Sequence, residues 1–162
     1  ERIIIHWTAG TYIPNDVDRS HYHFLITGAG KIENGKFKPE DNLNCKDGKY
    51  AEHTGGGNTG SIGIAFCGML GFKNKDNVGS FPLQQIQLEA GYKFIAELFI
   101  FYKIPVTPQT IMTHMEFGLA HPQSTSSGKI DICFIPYNPS LHPMQIGNYI
   151  RGKVNWYKDK TA

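Results

Sequence analysis

Runs of β-branched and aromatic residues predict strands in the first half of the chain. Arg2 to Trp7 (RIIIHW) has the continuous apolar pattern of a strand that is buried on both faces. Tyr22 to Thr27 (YHFLIT) leads through the glycine turn of residues 28–30 into Lys31 to Glu33, which predicts a hairpin. Ser61 to Phe66 (SIGIAF) has almost no polar content, so we expect it to lie at the centre of a sheet.

Apolar positions in the second half of the chain recur at helical spacing. Pro82 opens the clearest helix, whose recurring apolar residues are Leu83, Ile86, Ala90, Phe94, Leu98 and Phe101. We expect this helix to lie across one face of the sheet. Thr110 to Thr113 (TIMT) predicts another short strand. A final helix from about Pro143 to Tyr157 is predicted to bury Ile146, Tyr149, Ile150 and Val154.

Two segments without hydrophobic period predict long loops. Asn34 to Asn58 is polar and glycine-rich, which is typical of a surface loop, and a second loop is predicted from His114 to Asp131. The order of the elements predicts an α/β fold in which a central mixed β-sheet is flanked by α-helices. The 162 residues fit a single domain.

The composition excludes several classes of partner. Sixteen basic and fourteen acidic side chains leave a formal charge of +2, which is too small an excess to indicate binding to nucleic acid or to a membrane surface. The longest apolar run, around Phe94 to Ile104, contains Glu97 and Lys103 and is too short and too charged to span a bilayer. We therefore expect a protein that neither binds nucleic acid nor inserts into a membrane. We also expect it to be a monomer.

Two histidines stand where predicted strands end. His6 and His114 occupy equivalent positions, from which side chains can point into a cleft lined by loops. A lone histidine is more often a surface or satisfied core residue, but two in equivalent positions favour a site. Asp131 supplies a nearby carboxylate, and catalytic zinc commonly takes three such ligands and leaves a fourth position for water. The three residues fit the stoichiometry of a zinc site, but they form no compact motif of the HExxH type, so the site depends on the fold to bring them together.

Several short motifs occur together over roughly residues 3 to 135. They are HWTAG at His6, YHFLI at Tyr22, AEHTGGGNTGSIGI from Ala51, THMEFG at Thr113 and GKID at Gly128. In content and order the chain resembles the N-acetylmuramoyl-L-alanine amidases, a family shared by phage endolysins, bacterial zinc amidases and peptidoglycan recognition proteins. The resemblance implies that residues 1–162 form a zinc amidase catalytic domain with one Zn²⁺ per chain.

The resemblance also implies a ligand set. His6 and His114 match the first and second zinc ligands of the family, and Asp131 matches the third, which is aspartate in some members and cysteine in others. Cys133 is the competing third ligand. Asp131 is preferred because its spacing from Lys129 matches the family pattern.

Catalytic residues follow from the same resemblance. Tyr22 and Lys129 match residues that active endolysins use to assist the water molecule and to stabilise the transition state. Attack on an amide builds negative charge on the carbonyl oxygen, which a lysine could stabilise, and a tyrosine could orient the water. Some members carry a glutamate base after the SIGI strand, but Ala65 stands there in this chain and excludes that base. Glu52 and Glu116 remain possible acids near the cleft.

Two loop segments match or adjoin the substrate groove of the family. His53, Thr54 and Asn58 are predicted to contact substrate, although the glycine-rich stretch between them would make a good turn without any ligand. The loop from Leu119 to Ser127 could cap the groove, but a solvated loop is the simpler interpretation.

The resulting hypothesis is hydrolysis of the amide bond between N-acetylmuramic acid and L-alanine in bacterial peptidoglycan. A phage or prophage endolysin is the favoured setting, in which the protein stays in the host cytoplasm until release and then acts on the cell wall or periplasm. The chain begins at Glu1 without a methionine, which leaves secretion open. The alternatives are a non-catalytic peptidoglycan-binding module, or an autolysin, recycling amidase or antibacterial effector with the same chemistry.

Overall fold

A mixed β-sheet forms the centre of the molecule. The computed structural model describes residues 1–161. Its strands are β1 (Arg2–Trp7), β2 (Phe24–Ile26), β3 (Ile32–Asn34), β4 (Ser61–Phe66) and β5 (Ile111–Thr113). Within the described chain they form one sheet in the order β3-β2-β4-β1-β5, in which only β3 runs antiparallel to its neighbour. Every residue of β4 is buried between β1 and β2, so the prediction of a central strand is confirmed.

Helices flank this sheet, and the α/β class is confirmed. They are α1 (Asp16–His21), α2 (Gln85–Tyr102), α3 (His114–Ala120) and α4 (Ile146–Thr161), with short 3-10 helices at Pro39–Leu43 and Pro143–Gln145. Helices α2 and α4 pack against each other, and α3 lies beside β1 and β5. Among the residues described, no helix combines the length and apolar character needed to cross a bilayer.

The face that α2 buries differs from the predicted one. Ile86 and Phe101 of the predicted stripe are 66% and 75% exposed. The core face instead consists of Leu88, Tyr92, Ile95, Ala96 and Phe99. Because apolar residues surround much of this helix, steps of three and four select more than one stripe, and contact with the sheet decides which is buried. The helix also begins at Gln85, after the predicted start at Pro82.

The predicted strand from Tyr22 to Thr27 is wrong at its start. The preceding residues form α1, which the strand pattern did not reveal. Asn15 caps this helix by accepting from the Asp18 amide at 2.8 Å, and Asp18 accepts in return from the Asn15 amide at 3.1 Å. Tyr22 ends the helix in extended backbone conformation, and β2 begins only at Phe24. Tyr22 therefore lies at a junction between helix and strand.

The two predicted loops contain more structure than their composition indicated. Asn42, in the 3-10 helix of the first segment, is fully buried, and its amide group donates to the carbonyls of Ala51 and Asn58 at 2.9 and 3.1 Å. The interpretation of Asn34 to Asn58 as a surface loop is therefore wrong for Asn42 and for the buried Ala51, His53 and Thr54, whereas most of residues 43–50 are exposed. In the second segment His114 is the first residue of α3, which follows β5 directly.

The final helix is confirmed with a small shift. A 3-10 turn at Pro143–Gln145 precedes α4, which extends to Thr161 instead of ending at Tyr157. Ile146, Ile150 and Val154 are buried as expected, while Tyr149 is only half-buried. These residues cover the part of the core formed by α2.

Candidate metal centre

Neighbouring parallel strands bring the two histidines together. His6 is the penultimate residue of β1, and His114 follows β5 at the start of α3. Ile5 pairs with Thr113 in the parallel register, so the next residue of each strand emerges at the same edge of the sheet. The two imidazole centroids lie 4.6 Å apart.

Asp131 completes a cluster of three possible ligands. Its carbonyl accepts from the Met115 amide at 2.7 Å, which holds its backbone against the start of α3. Asp131 Oδ2 lies 3.0 Å from His6 Nδ1 and 3.3 Å from His114 Nδ1, and the two Nδ1 atoms are 3.1 Å apart. A tetrahedral zinc site with bonds near 2.0 Å places its ligand atoms about 3.3 Å from one another. The donor set and its spacing therefore fit zinc.

The cluster is buried, and this decides its charges. His6 is fully buried, and burial lowers the pKa of its imidazole, an effect that the neighbouring Asp131 opposes. Burial alone would raise the pKa of the Asp131 carboxyl, but its contacts with the His114 and His6 imidazoles hold it well below its usual value. The site therefore combines an ionised carboxylate with imidazole nitrogens, which is the chemistry of a metal centre.

The far nitrogens of both histidines are also engaged. His6 Nε2 lies 3.2 Å from His53 Nδ1 and 3.3 Å from the Thr54 hydroxyl oxygen. His114 Nε2 lies 2.9 Å from the hydroxyl of Ser126. Sequence reasoning missed Ser126, since nothing distinguishes it from the other serines of its loop.

Cys133 does not join the cluster. It lies beside a separate cavity with Phe72 and Phe134, and burial raises the pKa of its thiol. The fold thus brings Asp131, and not Cys133, to the two histidines. Which of the two residues binds metal stays a prediction.

An open cavity of about 620 Å³ lies over the cluster, with His114 and Asp131 in its wall. Tyr22 lines it as well, and its ring centroid is 5.1 Å from that of His6. Burial, and then the charge of Asp131, raise the pKa of the Tyr22 phenol, so this group stays protonated. Lys129 lines the same cavity with an exposed side chain and forms no ion pair within residues 1–161.

Other predicted site residues divide between the cavity and the scaffold. His53, Thr54 and Asn58 all line the cavity, as does Glu52. Asn58 also builds the turn, because its side-chain oxygen accepts from the amides of His53 and Thr54 at 3.0 and 2.8 Å. Glu116 is absent from the cavity wall and pairs instead with Arg151 at 2.8 Å.

The loop from Leu119 to Ser127 forms part of the site. Ser126 is fully buried, so the interpretation as a solvated loop is wrong for this residue, whereas Thr125 lines the cavity and is exposed. A Cβ on Gly118 would collide with the carbonyl of Ser126, which shows how closely the loop packs on α3.

Comparison with known families supplies the decisive observation. Residues 1–131 match the model of the N-acetylmuramoyl-L-alanine amidase family. The chain belongs to this family. The segment that matches this amidase model contains His6 and His114 and ends at Asp131, so all members of the cluster fall inside it. The family resemblance predicted from the motifs is confirmed.

Solved structures place the amidase-family chain in a known fold. A mutant structure of PlyL aligns with a TM-score of 0.52 and 19% identity, covering 96% of this chain and 84% of that chain. The complex of peptidoglycan recognition proteins LCa and LCx with tracheal cytotoxin aligns with a TM-score of 0.49 and 21% identity, over 78% and 75% of the two chains. Drosophila peptidoglycan recognition protein SD aligns with a TM-score of 0.45 and 19% identity, over 76% and 73%. No curated protein sequence matches the chain.

Proposed function

We propose that this protein is a zinc-dependent amidase that hydrolyses the bond between N-acetylmuramic acid and L-alanine in bacterial peptidoglycan. The observation that carries the proposal is the cluster of His6 Nδ1, His114 Nδ1 and Asp131 Oδ2, whose atoms lie 3.0 to 3.3 Å apart beside an open cavity. Membership of the amidase family supports the reaction, and the zinc-like donor set supports the cofactor.

Three residues would hold the metal, and two others would act on the reacting groups. Zinc in such a site acts as a Lewis acid and makes a nucleophile from water at neutral pH. Lys129 lines the cavity, where its side chain would stabilise negative charge on the amide oxygen. The protonated phenol of Tyr22 would donate a hydrogen bond to the attacking water or to the leaving group.

The cavity could hold the part of a substrate around the scissile amide. Its volume of about 620 Å³ falls in the range of small-molecule sites. The glycan on one side of the scissile amide and the stem peptide on the other would therefore extend beyond it. Asn58 and Glu52 also lie in its wall, where they would offer polar contacts to muramic acid or the stem peptide. Substrate contact by His53 and Thr54 stays part of the proposal, although these residues also support His6.

For the biological setting we propose a phage or prophage endolysin that acts on the cell wall after release from the host cytoplasm. The alignment with PlyL over 96% of this chain supports a shared fold, and the amidase family supports the chemistry. An autolysin, a recycling amidase or an antibacterial effector would use the same residues in another setting.

Digestion of purified peptidoglycan tests the proposed reaction. Zinc-loaded protein should release new amino termini without releasing reducing sugars, and a chelator should stop the release until zinc is restored. Release of reducing sugars, or digestion that is indifferent to the chelator, would contradict the proposal. Tight binding to muropeptides without cleavage at full zinc occupancy would identify a non-catalytic module.

Substitution of the cavity residues tests their roles separately from the metal. Tyr22→Phe and Lys129→Met should each lower kcat by about 100-fold or more, since each loses a group that acts in the transition state. Both variants should retain one zinc per chain, because neither side chain belongs to the ligand cluster. A loss of zinc in either variant would show that the residue supports the metal site instead.

A further inference from the structure

We infer that the segment from His53 to Gly55 positions both metal-binding histidines and fixes which nitrogen of each ring carries the proton. One branch runs from His6 through Thr54 and His53, and the other runs from His114 through Ser126. This inference rests on the metal site of the proposed function. It gives His53 and Thr54, which were predicted to contact substrate, a role in positioning the ligands.

The hydrogen bonds behind His114 allow only one assignment of donors and acceptors. The Ser126 hydroxyl lies 2.7 Å from the carbonyl of Gly55, which can only accept, so Ser126 donates there. Its oxygen is then left to accept from His114 Nε2 at 2.9 Å. A neutral His114 must therefore carry its proton on Nε2, which leaves the lone pair on Nδ1.

The branch behind His6 is fixed in the same way. His53 Nε2 faces the carbonyl of Ser61 at 3.3 Å and donates to it, so His53 Nδ1 is an acceptor. The Thr54 hydroxyl donates to that Nδ1 at 2.7 Å. The single lone pair of His53 Nδ1 is then occupied, so the proton on His6 Nε2 is left to the Thr54 oxygen at 3.3 Å, with His53 Nδ1 close by at 3.2 Å.

Both branches leave an Nδ1 lone pair aimed at the same point. His6 Nδ1 and His114 Nδ1 are 3.1 Å apart, and each faces Asp131 Oδ2. Partners on the far nitrogen commonly orient histidine ligands and set their tautomer. Here a single turn orients both rings. Its Thr54 hydroxyl contacts His6, and its Gly55 carbonyl accepts from the Ser126 hydroxyl that contacts His114.

The turn itself is held too firmly to be an adaptable surface loop. Asn58 Oδ1 binds the amides of His53 and Thr54, and a Cβ on Gly63 of β4 would collide with the His53 ring. His53 is 6% exposed and Thr54 is 1% exposed, which leaves little of either side chain to meet a substrate. Burial and contacts therefore favour a positioning role for this pair.

Paired substitutions at Thr54 test the inference. Thr54→Val keeps the shape but removes the hydroxyl, and it should weaken zinc affinity by about 10-fold to 100-fold. Thr54→Ser restores the hydroxyl and should recover most of the affinity. Zinc affinity is measured by competition with a chelator of known strength, and thermal unfolding of the metal-free proteins in chelator checks that each variant is folded.

A second readout follows the tautomers directly. Nitrogen NMR of the zinc-loaded protein should show protonated Nε2 and metal-bound Nδ1 for His6 and His114. Ser126→Ala removes the branch behind His114 and should weaken zinc affinity to a similar extent, while Ser126→Thr should retain more of it. A merely structural role for these hydroxyls would alter thermal unfolding without altering metal affinity relative to the conservative variants.

The possible outcomes separate the inference from the proposed function. Wild-type zinc affinity in both Thr54→Val and Ser126→Ala would overturn the inference and leave the amidase proposal standing. A raised KM in Thr54→Val at unchanged zinc affinity would also overturn it, in favour of substrate contact. A wild-type protein that bound no zinc would overturn the inference and the proposed function together.

Discussion

Two polar clusters meet at the start of α3, and they differ in whether their hydrogen-bond donors and acceptors match. His114, the first residue of the helix, joins the cluster with His6 and Asp131. Glu116, on the same turn, binds Arg151 of α4 through both carboxylate oxygens at 3.0 and 2.8 Å. The guanidinium also donates to the carbonyl of Ile111 at 3.0 Å, and Glu116 accepts from the Thr113 amide.

The difference lies in the balance of hydrogens and electron pairs. Around Glu116 each short contact has a donor on one side and an acceptor on the other, so the group is complete without a ligand. Around Asp131 the three facing atoms are a carboxylate oxygen and two imidazole nitrogens at 3.0 to 3.3 Å. An excess of electron pairs at such distances indicates a place for a cation, whereas a matched set indicates a structural clamp.

Removal of a ligand should produce the largest functional effect. His114→Ala deletes one of three ligand atoms and should abolish both stoichiometric zinc binding and amidase activity. Metal analysis after dialysis, together with the amino-terminus assay on peptidoglycan, measures both losses. One equivalent of zinc in this variant would show that the ligand set is wrong.

Removal of the clamp should affect stability instead. Arg151→Met leaves Glu116 and the Ile111 carbonyl without their partner and should lower the free energy of unfolding by about 2 kcal/mol, since Ile111 is buried and Glu116 is half-buried. The folded variant should still bind one zinc. Denaturant titration of the metal-free protein measures the first effect and metal analysis the second.

A matched control is available on the same helix. Lys153 of α4 pairs with Glu89 at 3.1 Å, but its side chain is more exposed. Lys153→Met should therefore cost less than about 1 kcal/mol. Equal losses in the two variants would contradict the distinction between a pair with a buried cation and a pair with a half-buried one.

A smaller perturbation of the clamp comes from α4 itself. A Cβ on Gly147 would collide with the carboxylate of Glu116. Gly147→Ala should therefore push that carboxylate off Arg151 and lower stability by about 1 kcal/mol, although alanine favours a helix more than glycine does. Stabilisation of the variant in thermal unfolding would show that the carboxylate moves aside at little cost.

The smallest effect is expected at the competing ligand. Cys133→Ser should leave zinc content and activity unchanged, because Cys133 lies beside a different cavity from Asp131. Asp131→Asn should lose zinc in the same assay. Loss of zinc in Cys133→Ser with zinc retained in Asp131→Asn would show that Cys133, and not Asp131, is the third ligand.

The sheet and the meeting of the histidines could be predicted because their signals are local and repeated. Arg2 to Trp7 and Ser61 to Phe66 are apolar runs whose place in a central sheet follows from composition. Once β1 and β5 are parallel neighbours, residues at their ends must lie together. The turn at His53 was recognised as a good turn, but its bonds to His6 depend on tertiary contact.

Short helices and buried faces were harder to predict. Helices α1 and α3 are too short to show hydrophobic period, although each opens with a capping box, in α3 formed by Thr113 and Glu116. The buried stripe of α2 depends on which of several apolar faces meets the sheet. Ser126 gave no signal, because its role comes only from its contacts with His114 and Gly55.

The Arg151 clamp also bears on where a functional unit of this protein can be cut. The family match ends at Asp131 and already includes His6, His114 and Asp131, yet the side chain that steadies the ligand-bearing helix comes from α4. A fragment trimmed to the matched region would lose that guanidinium and the helix that covers α2. Sequence families can therefore delimit the chemistry more narrowly than the cooperative folding unit, and expression boundaries for this domain should include α4.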